Sequence, residues 1–452
     1  MNKLAWTLVA TMGISLCATV IEPGKLPENF DPNKVEIRKL VESTPRGGLP
    51  NFYAKLDSKQ DTVIAYFGGS ITAQAGYRVH SLKYFQEEYK ETKVAEINAA
   101  IGGTGSDLGA YRLEHDVLKF KPDLVFVEFA VNDGGASPYS IRQSMEGIVR
   151  HIWNELPSCD IIFVYTLTAG NVKELQDGKM QRSASVMEEI ADYYQIPSIH
   201  MGVEIVALEK QGKLLMKASN EGMTRVSGKE LNLSADNYVN AEGKIPFAND
   251  GVHPYDNTGH ALYMDAIKRS LPAIKSTGKP GPKANLPKPM VPDCFENVIT
   301  IPFGNPTVKL EGPCQKLPKD DPVTRHFLNR ADEFYVFEPG AKITFKYKGL
   351  RAAIYNILGP QGGIIEIKHN GKISREARMF DPYCTYHRLA TVGLPNAKDQ
   401  VNEITITVLD KNFDKKAILF DHNKPDFDKN PAKYEKLRLF AGCIFIVGEV
   451  VP

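Results

Sequence analysis

The sequence predicts two domains of different class: an α/β domain with a parallel sheet and helices on both faces, then a smaller all-β sandwich. Three observations carry this. From residue 62 to 274, short β-branched and aromatic runs alternate with helix-length segments, the pattern of strand–helix–strand units and hence of a parallel sheet. A stretch dense in proline and lysine, STGKPGPKANLPKPMVPD over 276–293, then interrupts the chain as a linker does. Beyond it, short alternating or apolar runs are separated by Gly, Asn and Pro, which reads as antiparallel strands with one sheet packed on another. The expected divisions are a leader over 1–20, a lead-in over 21–55, the α/β domain over 56–275 with an insertion at 209–249, the linker at 276–292 and the sandwich over 293–452.

In chain order, the first residues, MNKLAWTLVATMGISLCATV, have the form of a secretory signal. Lys3 supplies a positive start, 4–16 is an apolar core too short to span a bilayer, and Ala18 is a small residue at a cleavage position. The competing reading is an N-terminal helix of the folded domain. The signal points to an exported protein, secreted or periplasmic. A lipid anchor at Cys17 would attach it to a surface, but Leu16 stands where such signals place a small residue. No later segment is long and apolar enough to span a membrane. The polar lead-in carries a short helix expected around 34–41. Strands are then expected at 62–67, 94–98, 124–129, 161–165 and 198–200. Helices are expected at 75–89, 108–118, 140–155, 183–194, 201–208 and 260–274. The polar, glycine-bearing 209–249 breaks this rhythm and reads as a loop that walls a site or as a surface excursion. Sandwich strands are expected at 342–347, 352–357, 364–369, 403–408 and 443–450.

The chain has 452 residues, a hydrophobic fraction of 42%, a charged fraction of 24% and a net charge of +1. That is a globular composition with no global electrostatic case for a nucleic-acid partner. The cysteines at 17, 159, 294, 314, 384 and 443 have no zinc-type spacing. A Cys294–Cys314 bridge is compatible with export, while buried free thiols account for most of the set.

Ligands of such sheets bind outside the carboxyl ends of the strands, and four strand-end segments there carry complementary chemistry. TVIAYFGGSIT, 62–72, ends an apolar strand in Gly68-Gly69 and presents Ser70 at the turn. There the hydroxyl is exposed and backbone N–H groups lie close. The same pattern also describes an ordinary loop, and it fails the elbow G-x-S-x-G because Thr72 stands two after the serine. NAAIGGTGS, 98–106, has glycines that let an N–H point at a developing oxyanion. VEFAVNDGG, 127–135, places Asn132 just past a strand, where its amide could donate to the same oxygen, or where Asn-Asp merely forms a turn. DGVHP, 250–254, sets Asp250 three residues ahead of His253. The carboxylate can fix the imidazole tautomer, so that the other nitrogen takes a proton from a serine. Asp250, His253, Asp256 and His260 could alternatively be metal ligands, but no HExxH-type spacing supports that.

Taken in order, these four blocks resemble the SGNH, or GDSL-type, hydrolase superfamily over about 62–274. The resemblance implies a flavodoxin-like three-layer α/β/α fold and no cofactor. It implies Ser70 as nucleophile, the N–H groups of Ser70 and Gly103 with the Asn132 side chain as oxyanion hole, His253 as base and Asp250 as its orienting partner. Gly103 is preferred to Gly102 because the family's glycine stands five residues after the Asn that opens its block, here Asn98. Two positions depart from the pattern: Gly69 replaces the aspartate of Gly-Asp-Ser, and Ala130 replaces the glycine of Gly-x-Asn-Asp. Neither removes a reacting group, but the aspartate's absence leaves open how the serine turn is braced. With an export signal and an appended sandwich, the chain resembles bacterial carbohydrate esterases that remove O-acetyl groups from glycans. An acetylated glycan is therefore the expected partner. A lipid or thioester hydrolase and a non-catalytic glycan-binding protein are the alternatives. Tyr383, Tyr386 and Phe427 could contact sugar or simply pack.

Overall fold

The computed structural model describes residues 21–219, 239–240, 242–398 and 400–452. The expected leader with Cys17, and 220–238 of the insertion, lie outside the described residues. Five parallel strands form the centre of the first sheet: β1 (Thr62–Gly68), β2 (Val94–Asn98), β3 (Leu124–Glu128), β4 (Asp160–Tyr165) and β5 (Ser198–His200). Their spatial order is β2-β1-β3-β4-β5, with the pair Ser43–Thr44 added antiparallel at the β5 edge. This is the flavodoxin-like order, in which the chain reverses direction across the sheet between β1 and β3 and opens a crevice at their carboxyl ends.

Alternate residues of the strands serve two separate cores, which is why these strands read as continuous apolar runs. Ala65, Phe67, Val125, Val127, Ile161 and Phe163 face the helices Ser106–Asp116, Pro138–Glu155 and Arg182–Tyr194. Ile64, Tyr66, Leu124, Phe126, Ile162 and Val164 face Pro50–Asp57, Tyr77–Glu88, Val203–Lys210 and Gly259–Lys275. The expected fold class, an α/β domain followed by an all-β one, is observed.

Locally the structure departs from the expected helix at 34–41 and adds detail elsewhere. The helix expected at 34–41 does not form. That segment runs extended, with Leu40 N–H donating to the Gly178 carbonyl at 2.8 Å and Lys39 bridging Lys179. Inside the insertion, Leu214–Lys217 and Ile245–Ala248 pair as a parallel two-stranded sheet. The proline-rich segment lies against the α/β domain. The Glu146 carboxylate accepts from the N–H groups of Met290 and Val291 at 2.6 and 3.1 Å, and Tyr193 Oη donates to the Lys288 carbonyl at 2.8 Å. Cys159, Cys294, Cys314, Cys384 and Cys443 are free thiols, so the Cys294–Cys314 bridge is absent.

The second domain is one antiparallel sheet of ten strands folded around its own core. Its axis is Lys342–Leu358, which the sequence divides in two. The break is a bulge at Gly349–Arg351 opposite Gly448, where a Cβ on Gly349 would come within 2.2 Å of the Val447 carbonyl. Strands Val298–Pro302, Lys309–Glu311, Cys314–Lys316, Tyr335–Phe337, Lys372–Arg378 and Arg388–Gly393 were not anticipated. Most are short or exposed and lack the alternation that marks a half-buried strand. Residues 352–357 of Lys342–Leu358 and 439–447 of Leu439–Val451 are buried on both faces because each face is covered. Ile354, Ile444 and Ile446 point into the domain's own core. Tyr355, Cys443 and Phe445 join the core of the α/β domain, where Phe445 stacks on Tyr111 with centroids 5.2 Å apart.

Candidate active site

The crevice between β1 and β3 is filled by the turns that follow them. β1 stops at Gly68, Gly69 caps a one-turn helix, Ser70–Ala73, and Ser70 is its first residue. The N–H of Ser70 is thus one of the donors a helix start leaves without an internal partner. Both glycines are required by close approach. A Cβ on Gly68 would sit 2.6 Å from the Glu128 carbonyl, and one on Gly69 would sit 2.1 Å from Asn132 Oδ1.

His253 reaches the same point from the loop before the helix Gly259–Lys275. Its Nε2 lies 2.8 Å from Ser70 Oγ, and its Nδ1 lies 2.7 Å from Asp250 Oδ2. A carboxylate only accepts, so Nδ1 carries the proton and Nε2 is left to accept from the serine hydroxyl. Asp250 Oδ1 also accepts from the N–H groups of Val252 and His253 at 2.8 and 2.9 Å. Partial burial raises the Asp250 carboxyl, but these bonds from His253 and Val252 outweigh it and bring it down to about 2. The loop is tied down where Ala169 N–H donates to the Gly251 carbonyl at 2.7 Å. Gly251 is left-handed with φ 77°, and a Cβ there would press on Ala169 and Lys217 at 2.8 Å. The dyad stands at an open surface: 39% of the His253 side chain and 49% of the Asp250 side chain are exposed.

Asn132 begins the short turn Asn132–Gly135 after β3, with its amide packed over Gly69. Gly102 and Gly103 sit in the turn after β2. A Cβ on Gly102 would contact Ser70 Cβ at 3.5 Å, whereas Gly103 is left-handed with φ 72° and has nothing within 4 Å of that position. Ser70, Asn132, Asp250, His253 and the glycine turn therefore converge on one sheet edge. Asp256 and His260 do not join them. His260 is fully buried, accepts the Tyr77 N–H at 3.1 Å, and is pushed by that burial down to about 3.

Two carboxylates escaped sequence reasoning. Glu128, the last residue of β3, is paired in register with Gly68. Its side chain accepts from Thr72 Oγ1 and Thr166 Oγ1, both at 2.9 Å, and from the Gly69 N–H. Burial raises its pKa against those three donors. Glu128 thus braces the serine turn from the neighbouring strand, in place of a carboxylate within the turn. Asp133 accepts the Ser106 N–H at 3.0 Å and so ties the Asn132 turn to the helix after the glycine turn. Burial pushes its carboxyl up to about 7. A charged residue inside the apolar strand run at Glu128 was the one signal in the sequence.

Residues 66–236 match the GDSL-like Lipase/Acylhydrolase family. The matched span contains Ser70, Gly103 and Asn132 and ends before Asp250 and His253. No curated protein matches the chain. Among solved structures, a two-domain esterase active on acetylated mannans, co-crystallised with mannopentaose, is 18% identical with a TM-score of 0.65. The alignment covers 92% of this chain and 99% of that one. A second structure of a two-domain esterase of that description is 19% identical over 92% of this chain and 100% of its own, with a TM-score of 0.64. At such identities the likeness establishes the two-domain fold. Residues 66–236 of the α/β domain are thus similar to GDSL-like lipases and acylhydrolases, and the protein is a carboxylic ester hydrolase.

Proposed function

We propose that the protein removes O-acetyl or other short acyl groups from a polysaccharide or oligosaccharide through an acyl-enzyme on Ser70. The observation that carries the reading is the unbroken chain from Asp250 through His253 to Ser70 Oγ, with bonds of 2.7 and 2.8 Å. His253 Nε2 takes the serine proton as Oγ attacks the ester carbonyl, and Asp250, ionised at neutral pH, holds the ring and stabilises the imidazolium. The tetrahedral oxyanion is held by the N–H groups of Ser70 and Gly103 and by the Asn132 amide. His253 then gives its proton to the departing sugar oxygen, which leaves as a hydroxyl, and a water activated by the same nitrogen releases the acid.

The glycan as substrate is supported by the open position of the dyad, which admits a bulky polar chain. It is also supported by the full-length likeness to an esterase active on acetylated mannans. No helix among the described residues is long and apolar enough to cross a membrane. Export rests on the leader over 1–20.

Acetate release from acetylated glycans, measured beside hydrolysis of long-chain acyl esters, tests the substrate. We expect acetate release to dominate, and Ser70→Ala to lower it by at least 10³-fold. Undiminished turnover by that variant would remove Ser70 from the mechanism, and preference for long chains would replace the glycan with a lipid.

A further inference from the structure

The geometry points to Arg330, a residue of the all-β domain, as a positioning residue of the esterase centre. This rests on the reading of the Gly102–Gly103 turn as part of the oxyanion hole. Gly103 has a left-handed backbone and nothing packs where its side chain would be. Glycine is the residue least restrained by its own sterics, so the direction of its N–H is set by what holds the flanking peptides.

Those flanks are held at several points. Ala99 N–H donates to the Tyr66 carbonyl at 2.9 Å and Ile101 N–H to the Gly68 carbonyl at 3.1 Å. Thr104 Oγ1 donates to the Ile101 carbonyl at 2.8 Å. The Ala99 carbonyl accepts from Arg112 Nη1, and Arg112 Nη2 also reaches the Gly68 carbonyl at 3.3 Å. The carbonyl of Ala100, two residues before Gly102, accepts from Arg330 Nη2 at 2.9 Å.

Arg330 is itself fixed from both sides. Its Nη1 donates to Asp116 Oδ2 at 3.2 Å, and the same oxygen receives Arg112 Nη1 at 2.8 Å. The Asp116 side chain is fully buried and that of Arg330 is 15% exposed. Burial raises the Asp116 carboxyl, but His115, Arg112 and Arg330 outweigh it and hold the group below its ordinary value. One buried carboxylate thus aligns two guanidinium forks, one from each domain, on consecutive carbonyls of the same loop. A planar fork can bond a carboxylate and a carbonyl at once, which an ammonium does less well. The neighbours of Arg330 are also anchored: Ala331 and Phe334 belong to the core shared by the two domains. The all-β domain therefore contributes one of the bonds that fix the shape of the glycine turn.

The test uses the full chain with 4-nitrophenyl acetate, a substrate with no sugar to contact the all-β domain. Arg330→Ala should lower kcat on the order of 10-fold or more, with KM changed by less than about 2-fold, because the effect is on transition-state geometry. Arg330→Lys should fall between wild type and Arg330→Ala. Millimolar guanidinium should restore part of kcat in Arg330→Ala and none in Ser70→Ala. Amide exchange over 99–106 should quicken in Arg330→Ala while exchange over 124–128 is unchanged. A wild-type kcat, or a reduced kcat with exchange over 99–106 unaltered, overturns the assignment. If wild-type protein does not turn over the ester, the esterase reading fails. The exchange comparison then still decides whether Arg330 fixes the loop.

Discussion

Gly69 is where this chain departs from Gly-Asp-Ser, and the departure has a steric cause. The Asn132 side chain occupies the space that a Cβ would need, at 2.1 Å from its Oδ1. The Gly69 N–H, Thr72 Oγ1 and Thr166 Oγ1 are satisfied by Glu128 from the adjacent strand. The carboxylate that braces the turn stands on the neighbouring strand end, and residue 69 is too crowded for anything but glycine. Restoring the family residue should therefore do harm. Gly69→Asp must displace Asn132 and set a second carboxylate near the buried Glu128, so kcat for a simple acetate ester should fall on the order of 10²-fold. Steady-state kinetics on Gly69→Asp, beside Gly69→Ala, checks this. A wild-type kcat in Gly69→Asp would mean that Asn132 can move without cost and does not face the reacting oxygen.

The strand-end turns act as a set because buried groups join them, and Asp133 is the joint between the turn after β3 and the helix Ser106–Asp116. Its carboxyl is pushed up to about 7 by burial, against the lowering bonds from Ser106 and with the charges of Asp107 and Glu128 adding to the rise. The native protein thus keeps a proton on Asp133 that the unfolded chain loses near its ordinary value of about 3.9. Stability from this group is full below that value and is lost as pH rises through about 7. Asp133→Asn cannot ionise, so the stability difference between wild type and variant should shift toward the variant by on the order of 2–3 kcal/mol between pH 5 and pH 8. Chemical denaturation at both pH values measures it, and a pH-independent difference would show that Asp133 ionises as freely folded as unfolded. The sequence carried the strand-end blocks because each is local: an apolar run, a stop, and a polar residue at a fixed offset. Glu128 and Asp133 could not be assigned that way. Their partners at Thr72, Thr166 and Ser106 are brought near by the β1–β3 pairing and the helix packing, which leave no trace in local spacing. The same limit explains why 276–292 read only as a linker: its proline content is visible, whereas the Glu146 carboxylate that receives Met290 and Val291 sits on a distant helix.

Two domains joined by a linker were expected; two folds are present, and their cores are continuous. Tyr111 on the helix Ser106–Asp116 stacks on Phe445, with rings inclined by 9°, and on Phe295, at 5.6 Å. Phe295 N–H donates to the Gln143 carbonyl at 2.8 Å, and its backbone lies so close to Gly147 that a Cβ there would meet it at 2.6 Å. Arg351 adds a bond to Gln143 Oε1 at 3.0 Å, and Arg150 pairs with Glu296 at 2.7 Å. The outer face of the helix that follows the glycine turn is thus covered by the second domain, so removing that domain would expose Tyr111 and its apolar neighbours. At roughly 25 cal/mol per Å² of apolar surface, uncovering several large side chains offsets much of a domain's ordinary net stability of about 5–15 kcal/mol. A chain ending at residue 292 should therefore lack a single cooperative transition, bind a hydrophobic dye, and hydrolyse 4-nitrophenyl acetate far more slowly than the full protein. Thermal unfolding followed by circular dichroism, with dye binding and ester turnover on one preparation, decides the point. A soluble monomer with the full-length midpoint and kcat would mean that the shared core is incidental. Loss of activity with an intact cooperative transition would isolate Arg330 and its hold on Ala100 as what the catalytic domain misses.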